Sequence, residues 1–347
     1  MITPKNYSPI EPLFQKFISE TKRGKRLQKN GKMIARSSVQ NYEALLFNIR
    51  KFTETTGEPF LINVKYRYSK RNFQREKRYY RKFYKEFTDF LYAKDCTDNY
   101  VGMLIKTLRS FFIYLNTAKG YETGGFYREF YANREETSVL VLSRDQLQFL
   151  ILNKDFDSRL PPHLRNSKDV FVFGCTVGLR FSDLMALRNK HMERANGNTY
   201  ICTKSRKTNT YTRIKLPLYA LDILKRYKGL QPTLLPNLSL NQFNCNLKEI
   251  AFMAGWTQEI GKERSRRGKR REVKKQNGKT YRFCDLVSSH VMRRTAITTL
   301  LIHGMPEPLV RKISGHAANS KEFFKYVKYS ETFMDHATDT AFERLLG

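Results

Sequence analysis

Four side chains near the carboxyl terminus have types and spacings that suit chemistry on a phosphate group. His290 and Arg293 lie three positions apart in SSHVMRRTAITTLLIHG, while His316 follows in SGH and Tyr326 in FFKYV. Residues three apart in a helix share one face, so the imidazole of His290 and the guanidinium of Arg293 are expected to be neighbours. Histidine and arginine donate to phosphate oxygens, and a tyrosine hydroxyl can act as a nucleophile. The set thus combines three possible donors to phosphate oxygens with one possible nucleophile.

Two predicted helices position these groups. The first begins at Ser288 or Ser289, either of which can cap it, and Gly304 is placed to end it, because apolar residues recur at helical spacing in between. A second, shorter helix starts near Pro306 and ends at Gly315. That glycine releases the chain at the histidine of SGH, and the tyrosine follows ten residues later.

A further guanidinium stands upstream in the segment GCTVGLRFSDLMAL. Gly178 is expected to end a buried apolar helix in the left-handed conformation, which places Arg180 in the turn before a helix starting near Ser182. Asp183 lies at the start of that second helix. Its carboxylate either caps the helix or orients a catalytic base.

The motifs HVMR and SGH, followed by Tyr326, resemble the second box of the tyrosine recombinases, the phage-type integrases. The segment around Arg180 is similar to the first box of that family, and the two boxes occur in the family's order. The resemblance extends over roughly Ser167 to Ser330. It covers the first third of the chain only by general pattern.

The resemblance implies a role for each of these residues. Arg180 and Arg293 would bind the non-bridging oxygens of a DNA phosphodiester, with His316 as a further donor. His290 would assist as a base or by positioning, and Tyr326 would attack phosphorus to form a 3′-phosphotyrosyl intermediate. Tyr329 is the alternative nucleophile, but the family's spacing from the histidine favours the earlier tyrosine.

The family also places a catalytic lysine, the general acid for the leaving 5′ oxygen, on the turn of a β-hairpin. The segment NTYICTKSRKTNTYTRIKLPL alternates with strand period and is expected to turn near Thr208 and Asn209. Lys207 is the better match to the catalytic lysine, and Lys204 is its rival.

The charge of the chain points to a polyanionic partner. The 347 residues carry 64 Lys and Arg against 32 Asp and Glu, a formal net charge of +32, which predicts binding of double-stranded DNA. Two basic segments, residues 65–83 and 262–283, supply the candidate DNA contacts. The candidates are Lys65, Arg67, Lys70, Arg71, Arg75, Arg78, Arg81, Arg266, Arg267, Lys269, Arg270, Arg271 and Lys274.

The organisation predicted is a mainly α fold with a small β component, an α+β protein. Residues 1–119 carry four amphipathic helices, which can enclose a small core, and the resemblance implies that they form the family's helical, core-binding (SAM-like) DNA-binding domain. Residues 120–142, rich in glycine and polar residues, form a linker, and residues 143–347 form the catalytic domain. The apolar stripe in ETFMDHATDTAFERLL predicts a final helix that docks on a neighbouring subunit or folds back on its own.

Neither a metal nor a cofactor is predicted, because no HExxH, calcium-loop or GxGxxG pattern occurs. The GKT near Gly278 is not a phosphate-binding loop, since Val273 stands where that motif requires glycine. The five cysteines are scattered and read as reduced thiols, with Cys175 in the core. With no membrane-spanning apolar run and no signal peptide pattern, we expect a cytoplasmic protein.

The sequence therefore predicts a site-specific recombinase that integrates or excises a mobile element. It would act as a homo-tetramer on DNA that exchanges C-terminal helices, with accessory DNA-bending proteins as possible partners. A type IB topoisomerase is the alternative with the same chemistry. A non-catalytic DNA-binding regulator is the alternative from another class, although a binder has no use for a tyrosine at position 326.

Overall fold

The computed structural model of the chain describes residues 6–28, 30–135, 139–206, 208–316, 320, 323–327, 330, 338 and 342. The chain divides into two compact units. The N-terminal unit comprises Met1–Thr137 and Glu263–Val273, and the C-terminal unit comprises Ser138–Lys262 and Lys274–Gly347. Helices dominate both units and the strands are short, which confirms the predicted mainly α fold with a small β component.

Amphipathic helices pack around an aromatic core in the N-terminal unit. Its elements are β1 (Tyr7–Pro9), α1 (Ile10–Lys22), α2 (Arg36–Thr56), β2 (Leu61–Asn63), α3 (Lys70–Ala93) and α4 (Asp98–Lys119). The rings of Phe14 and Phe111 meet edge to face with centroids 4.7 Å apart, and those of Phe83 and Phe87 stack at 5.5 Å. Such ring pairs add to the stability gained from burial of apolar area.

The basic segment 65–83 lies mostly inside α3. Ser69 caps the helix by accepting from the backbone N–H of Asn72 at 3.1 Å. Tyr80, Phe83 and Phe87 are buried, and their spacing of three and four residues places them on one helical face. The arginines and lysines between them hid this period in the sequence.

The predicted linker at residues 120–142 contributes to the N-terminal core instead of standing apart from it. A short 3₁₀ helix, Phe126–Glu129, follows two glycines with left-handed backbone, Gly124 and Gly125. Phe126, Tyr127 and Phe130 are buried among the helices. The boundary between the two units falls at residues 137 and 138.

A basic β-hairpin from the second half of the sequence belongs to the N-terminal unit. Strands β6 (Glu263–Arg266) and β7 (Lys269–Glu272) are joined by Arg267 and Gly268, whose φ angles are +53° and +75°. Positive φ at both turn residues is the geometry of a tight turn that matches strand twist. The backbone N–H groups of these two turn residues each donate to the carboxylate of Asp98 at 2.9 Å.

Further contacts attach the same hairpin to acidic residues of the N-terminal unit. The Arg266 guanidinium pairs with Asp95, and that of Arg267 pairs with Asp89 at 2.7 Å. Three of the six candidate DNA contacts in this region thus pair with acidic residues of the protein, because Arg270 lies 3.9 Å from Glu263 within the hairpin. The side chains of Lys269, Arg270, Arg271 and Lys274 are exposed to solvent.

The C-terminal unit surrounds one long buried helix with shorter helices and a small sheet. Its helices are α5 (Arg144–Leu152), α6 (Lys154–Arg159), α7 (Pro162–Val177), α8 (Phe181–Leu184), α9 (Leu218–Tyr227), α10 (Leu240–Met253), α11 (Phe283–Leu286), α12 (Ser289–Ile302) and α13 (Glu307–Ser314). The strands β3 (Met192–Ala195), β4 (Asn198–Lys204) and β5 (Tyr211–Lys215) pair antiparallel in that order. The predicted hairpin is β4 with β5, and it turns at Asn209 with φ +58°. Most of the predicted final helix, residues 331–346, lies outside the described residues.

Helices α7 and α12 pack at very short range. A Cβ atom added to Gly174 would lie 1.9 Å from the sulfur of Met292, and Met292 is fully buried. Position 174 therefore has no room for a side chain. The close approach fixes α12 against α7, so residues carried by α12 keep a constant position relative to the C-terminal end of α7.

The cysteines Cys96, Cys175, Cys202, Cys245 and Cys284 are free thiols. Cys175 is buried as predicted, and desolvation raises the pKa of its thiol. Among the described residues, no helix has the length and apolar character needed to cross a membrane.

We expect Asp98→Ala to release the basic hairpin from the N-terminal unit. Asp98 is 3% exposed and accepts from the backbone of Arg267, from the backbone of Gly268 and from the Tyr92 hydroxyl at 2.7 Å, so the substitution removes the acceptor of three donors. A loss of about 2 kcal/mol corresponds to roughly 30-fold more frequent local opening. Limited trypsin digestion measures it, because the hairpin is rich in arginine and lysine.

The control is Asp89→Ala, which removes an ion pair whose carboxylate is 42% exposed and should change the cleavage rate by no more than about 5-fold. Equal rates for the two variants would show that the turn amides do not hold the hairpin.

Candidate active site

A buried arginine on α12 forms the centre of the candidate site. Arg293 is 5% exposed, and its Nη1 donates to the backbone carbonyl of Gly178 at 2.9 Å. Gly178 ends α7 with φ +64°, the left-handed conformation that the sequence predicted. A Cβ atom there would lie 3.3 Å from the Cβ of Ala296, so glycine also permits the close approach of α12.

Arg180 comes two residues after that glycine, at the N-cap position of α8, as the sequence placed it. Its Nη1 donates to the hydroxyl of Ser205 at 2.9 Å. Ser205 is buried and follows β4 directly. Asp183, 4% exposed, accepts from the backbone N–H of Arg206 at 3.3 Å. The turn after α7 is thus attached to the turn of the β4–β5 hairpin.

His316 follows α13 through Gly315, whose φ of +63° ends the helix. The Nη2 of Arg293 lies 3.2 Å from Nε2 and 3.3 Å from Nδ1 of this imidazole. Ser314 Oγ lies 2.8 Å from Nδ1. Burial and the nearby guanidiniums of Arg293, Arg180 and Arg311 lower the pKa of His316 to about 3, so the ring is neutral at physiological pH.

Tyr326 is half-buried and lies beside this imidazole. The ring centroids of His316 and Tyr326 are 6.0 Å apart, and Phe323 packs edge-on against Tyr326 at 6.2 Å. Phe323 is fully buried in a small cluster with Ile297, Leu301 and Val310. Apolar packing against α12 and α13 therefore brings the phenol to the cationic side chains.

The site carries an excess of positive charge. Burial, and then the charge of Arg180, lower the pKa of Arg293 to about 10, while Tyr326 and Asp183 act in the opposite direction. Arg293 remains protonated at neutral pH. Two guanidiniums and a phenol without a balancing number of carboxylates form a binding site for an anion that brings its own negative charge.

The remaining predicted site residues differ in how the structure describes them. His290 is exposed in the first turn of α12, one turn before Arg293. Lys204 is exposed at the end of β4. Lys207, the favoured catalytic lysine, and Tyr329, the alternative nucleophile, lie outside the described residues. Their roles stay predictions.

Three hydroxyl groups that had no predicted role support the site. Ser205 holds Arg180, Ser314 contacts His316, and the Thr208 hydroxyl donates to the carbonyl of Gly315 at 3.0 Å. Serine and threonine occur throughout the chain, so their type alone gives no signal. Their positions were the available signal, since Ser314 is the serine of the SGH motif and the other two lie at the hairpin turn.

The chain is similar to known proteins in sequence pattern and in fold. The model of the phage integrase family matches residues 145–331. No curated protein sequence matches the chain. Similar solved structures include a lambda integrase dimer bound to a COC′ core site, with TM-score 0.60 and 12% identity over 92% of this chain and 77% of that one. A lambda integrase tetramer bound to a Holliday junction gives TM-score 0.57 and 14% identity over 92% and 81%.

Two further structures share the fold. The XerH site-specific recombinase in a post-cleavage complex with palindromic difH substrate gives TM-score 0.56 and 14% identity over 92% of this chain and 80% of that one. The Tn1549 transposon integrase in complex with transposon right end DNA gives TM-score 0.54 and 14% identity over 98% and 100%.

The fold is that of the tyrosine recombinases. The chain belongs to the phage integrase family, because the family model covers more than half of its length. This confirms the resemblance predicted from the two boxes, and the protein is a tyrosine site-specific recombinase.

The low pKa of His316 predicts how stability depends on pH. The folded pKa of about 3 lies below the ordinary 6.5, so the unfolded chain binds more protons between these values. The contribution of the neutral ring to stability is complete above about pH 6.5 and is lost as the pH falls toward 3. Wild type should therefore lose more free energy of unfolding than His316→Gln between about pH 7.5 and 5.

Urea unfolding followed by the fluorescence of Trp256, the single tryptophan, measures this in the C-terminal unit. His303→Gln, which removes an exposed histidine after α12, is the control and should retain the wild-type pH dependence. An identical pH dependence of wild type and His316→Gln would contradict the prediction.

Proposed function

We propose that this protein cuts and rejoins DNA at specific sites through a 3′-phosphotyrosyl intermediate at Tyr326, and that it integrates or excises a mobile element. The observation that carries the proposal is the placement of one phenol beside His316 and two guanidiniums. The similar XerH structure is a post-cleavage complex, and the Tn1549 structure contains transposon right end DNA. The first likeness favours cleavage of DNA at a specific site, and the second favours recombination of a mobile element as the role.

The proposed first step forms a bond between the Tyr326 oxygen and phosphorus and breaks the bond from phosphorus to the 5′ oxygen. Arg180 and Arg293 bind the non-bridging oxygens, where negative charge increases in the transition state. A guanidinium carries five N–H donors, so the bonds that Arg293 makes to Gly178 and His316 still leave donors for phosphate. Preorganised donors of this kind need no rearrangement during the reaction.

The protons move in opposite directions in this step. The phenol of Tyr326 loses a proton, with His290 as base or positioning group, and the leaving 5′ oxygen gains one from Lys207, with Lys204 as the rival acid. Attack by a 5′ hydroxyl on the phosphotyrosine then reverses both transfers. The DNA is rejoined without net consumption of a high-energy bond. Throughout the reaction, Asp183 orients the hairpin turn by accepting from the backbone N–H of Arg206.

We propose that the N-terminal unit binds the DNA backbone through α3. Arg71, Arg75 and Arg78 are spaced by four and three residues, so they form one exposed stripe along the helix. The basic surface is extended by Lys65, Arg67 and Lys70, whereas Arg81 pairs with Glu129 at 2.9 Å. On and directly after the β6–β7 hairpin, the exposed Lys269, Arg270, Arg271 and Lys274 are better placed for DNA than Arg266 and Arg267, which pair with Asp95 and Asp89.

The active assembly that we propose is a tetramer on two DNA duplexes. One of the similar lambda integrase structures is a tetramer bound to a Holliday junction. The apolar stripe of residues 331–346 would join subunits by exchange of the C-terminal helix, and DNA-bending proteins would assist. A chain that stayed monomeric on a four-way junction, as judged by its mass in mass photometry, would contradict the tetramer. We also propose that the protein acts in the cytoplasm.

The covalent intermediate provides the sharpest test of this function. On a pool of nicked suicide duplexes with randomised sequence around the nick, wild type should form an adduct that survives denaturant. Tyr326→Phe should form none, because phenylalanine has no nucleophilic oxygen. Arg180→Lys should bind DNA normally but form adduct about 10² to 10³ times more slowly, since lysine cannot present paired donors.

Tyr329→Phe is the matched control and should retain wild-type adduct formation. Adduct formation by Tyr326→Phe but not by Tyr329→Phe would assign the nucleophile to position 329.

The topoisomerase alternative predicts a different activity. If the wild-type protein relaxed supercoiled DNA without sequence preference, that result would favour this alternative.

Salt dependence tests the DNA contacts proposed for α3. Replacing both Arg71 and Arg78 with Gln should make the slope of log affinity against log salt shallower by about 2, roughly one for each phosphate that is no longer neutralised. Lys51→Gln is the control, because this lysine of α2 pairs with Glu54 at 2.7 Å. Filter binding over a salt series measures the slopes, and an unchanged slope in the double variant would exclude α3 from the interface.

A further inference from the structure

Ser314, the residue two before His316, makes contacts that fix the state of the imidazole. Ser314 is 2% exposed at the end of α13. Its Oγ lies 2.7 Å from the carbonyl of Val310, the residue four positions earlier, and 2.8 Å from Nδ1 of His316. The carbonyl of Arg311 is more distant, at 3.4 Å.

A serine hydroxyl has one proton, and the short contact to Val310 identifies where it goes. A carbonyl oxygen can only accept, so Ser314 donates to it. The serine oxygen then has lone pairs for an incoming donor, and Nδ1 of His316 at 2.8 Å must carry a proton to use them. A neutral imidazole protonated at Nδ1 has an unprotonated Nε2.

The guanidinium of Arg293 contacts the same ring. Its Nη2 lies 3.2 Å from Nε2 and 3.3 Å from Nδ1, and a guanidinium can only donate. With Nδ1 protonated towards Ser314, the unprotonated Nε2 is the ring nitrogen that can accept from Arg293. Proton positions thus follow in one direction, from Arg293 to Nε2, from Nδ1 to Ser314, and from Ser314 to the Val310 carbonyl.

We propose that Ser314 is a positioning residue for the recombinase reaction, which acts through His316 to orient the guanidinium of Arg293. His316 is then an acceptor for Arg293 in the resting site, whereas the resemblance implied a donor to phosphate. The inference rests on the proposed function for its catalytic consequence, but the state of the imidazole is independent of it.

The groups around the ring support a neutral imidazole. Arg293, Arg180 and Arg311 face His316 with positive charge, and the phenol of Tyr326 lies across from it. Three guanidiniums disfavour a fourth cation, so the ring stays an acceptor at Nε2 across the physiological pH range. Loss of the serine oxygen would allow the ring to change tautomer and to rotate away from Arg293.

The first measurement uses wild-type protein labelled with nitrogen-15 histidine. The six histidines give separate imidazole signals, and His316→Gln identifies the signal of interest. At neutral pH, long-range proton–nitrogen spectra should show His316 protonated at Nδ1 and unprotonated at Nε2. A ring protonated at Nε2, or one that exchanges between both forms, would overturn the proposal without use of any activity assay.

The second measurement compares Ser314→Ala with Ser167→Ala. Ser167 is fully buried in α7, donates to the His163 carbonyl at 3.0 Å and accepts from Asn246 at 2.8 Å, so it loses a similar pair of bonds far from the reacting groups. Ser314→Ala should form covalent adduct about 10-fold more slowly at saturating DNA, with DNA affinity nearly unchanged. Ser167→Ala should keep the wild-type adduct rate.

Ser314→Thr retains the hydroxyl and should restore both the Nδ1-protonated signal and most of the adduct rate. Equal adduct rates in Ser314→Ala and Ser167→Ala would overturn the positioning role. Absence of adduct in wild type would instead refute the proposed function. It would not affect the inference about the imidazole, because the spectrum of His316 does not depend on adduct formation.

Discussion

Burial of one guanidinium beside another is the constraint on which the C-terminal unit depends. Arg293 is removed from water next to Arg180, and an unpaired buried charge is costly unless hydrogen bonds and opposite charge compensate it. Part of the compensation comes from the Gly178 carbonyl and from Nε2 of His316. A bound phosphate would supply the remainder. The arrangement that destabilises the protein in the absence of a ligand therefore favours binding of an anionic substrate.

The scaffold meets this constraint with backbone features more than with further charges. Gly178 and Gly315 adopt left-handed conformations that turn the chain sharply after α7 and α13. The first turn exposes a carbonyl to Arg293, and the second delivers His316. Gly174 lets α12 approach α7 until Met292 fills the space of a side chain. Positions of the reacting groups therefore follow from close helix packing, which tolerates little displacement.

Charge has a second use in the N-terminal unit. A chain with a net charge of +32 would be expected to keep its arginines for the partner, yet Arg266 and Arg267 pair with Asp95 and Asp89, and the turn amides bind Asp98. These acidic residues engage the turn and the cations beside it, whereas Lys269, Arg271 and Lys274 stay exposed. Basic composition alone therefore overestimates the number of cations available to a polyanion.

The family and the fold class could be predicted from the sequence, because glycine, arginine, histidine and tyrosine at fixed local spacings specify turns and helix faces. The same spacings gave the candidate site residues, and local signals placed Gly178, Gly315 and the β4–β5 turn correctly. The packing of the folded chain was needed to show that the rings at residues 126–130 join the N-terminal core and that segment 65–83 lies mostly within α3. It alone revealed Ser205 and Ser314 as partners of the site and the pairing of a distant hairpin with Asp98. These contacts join residues far apart in the chain or depend on the direction of a single hydroxyl, and neither property leaves a periodic trace in the sequence.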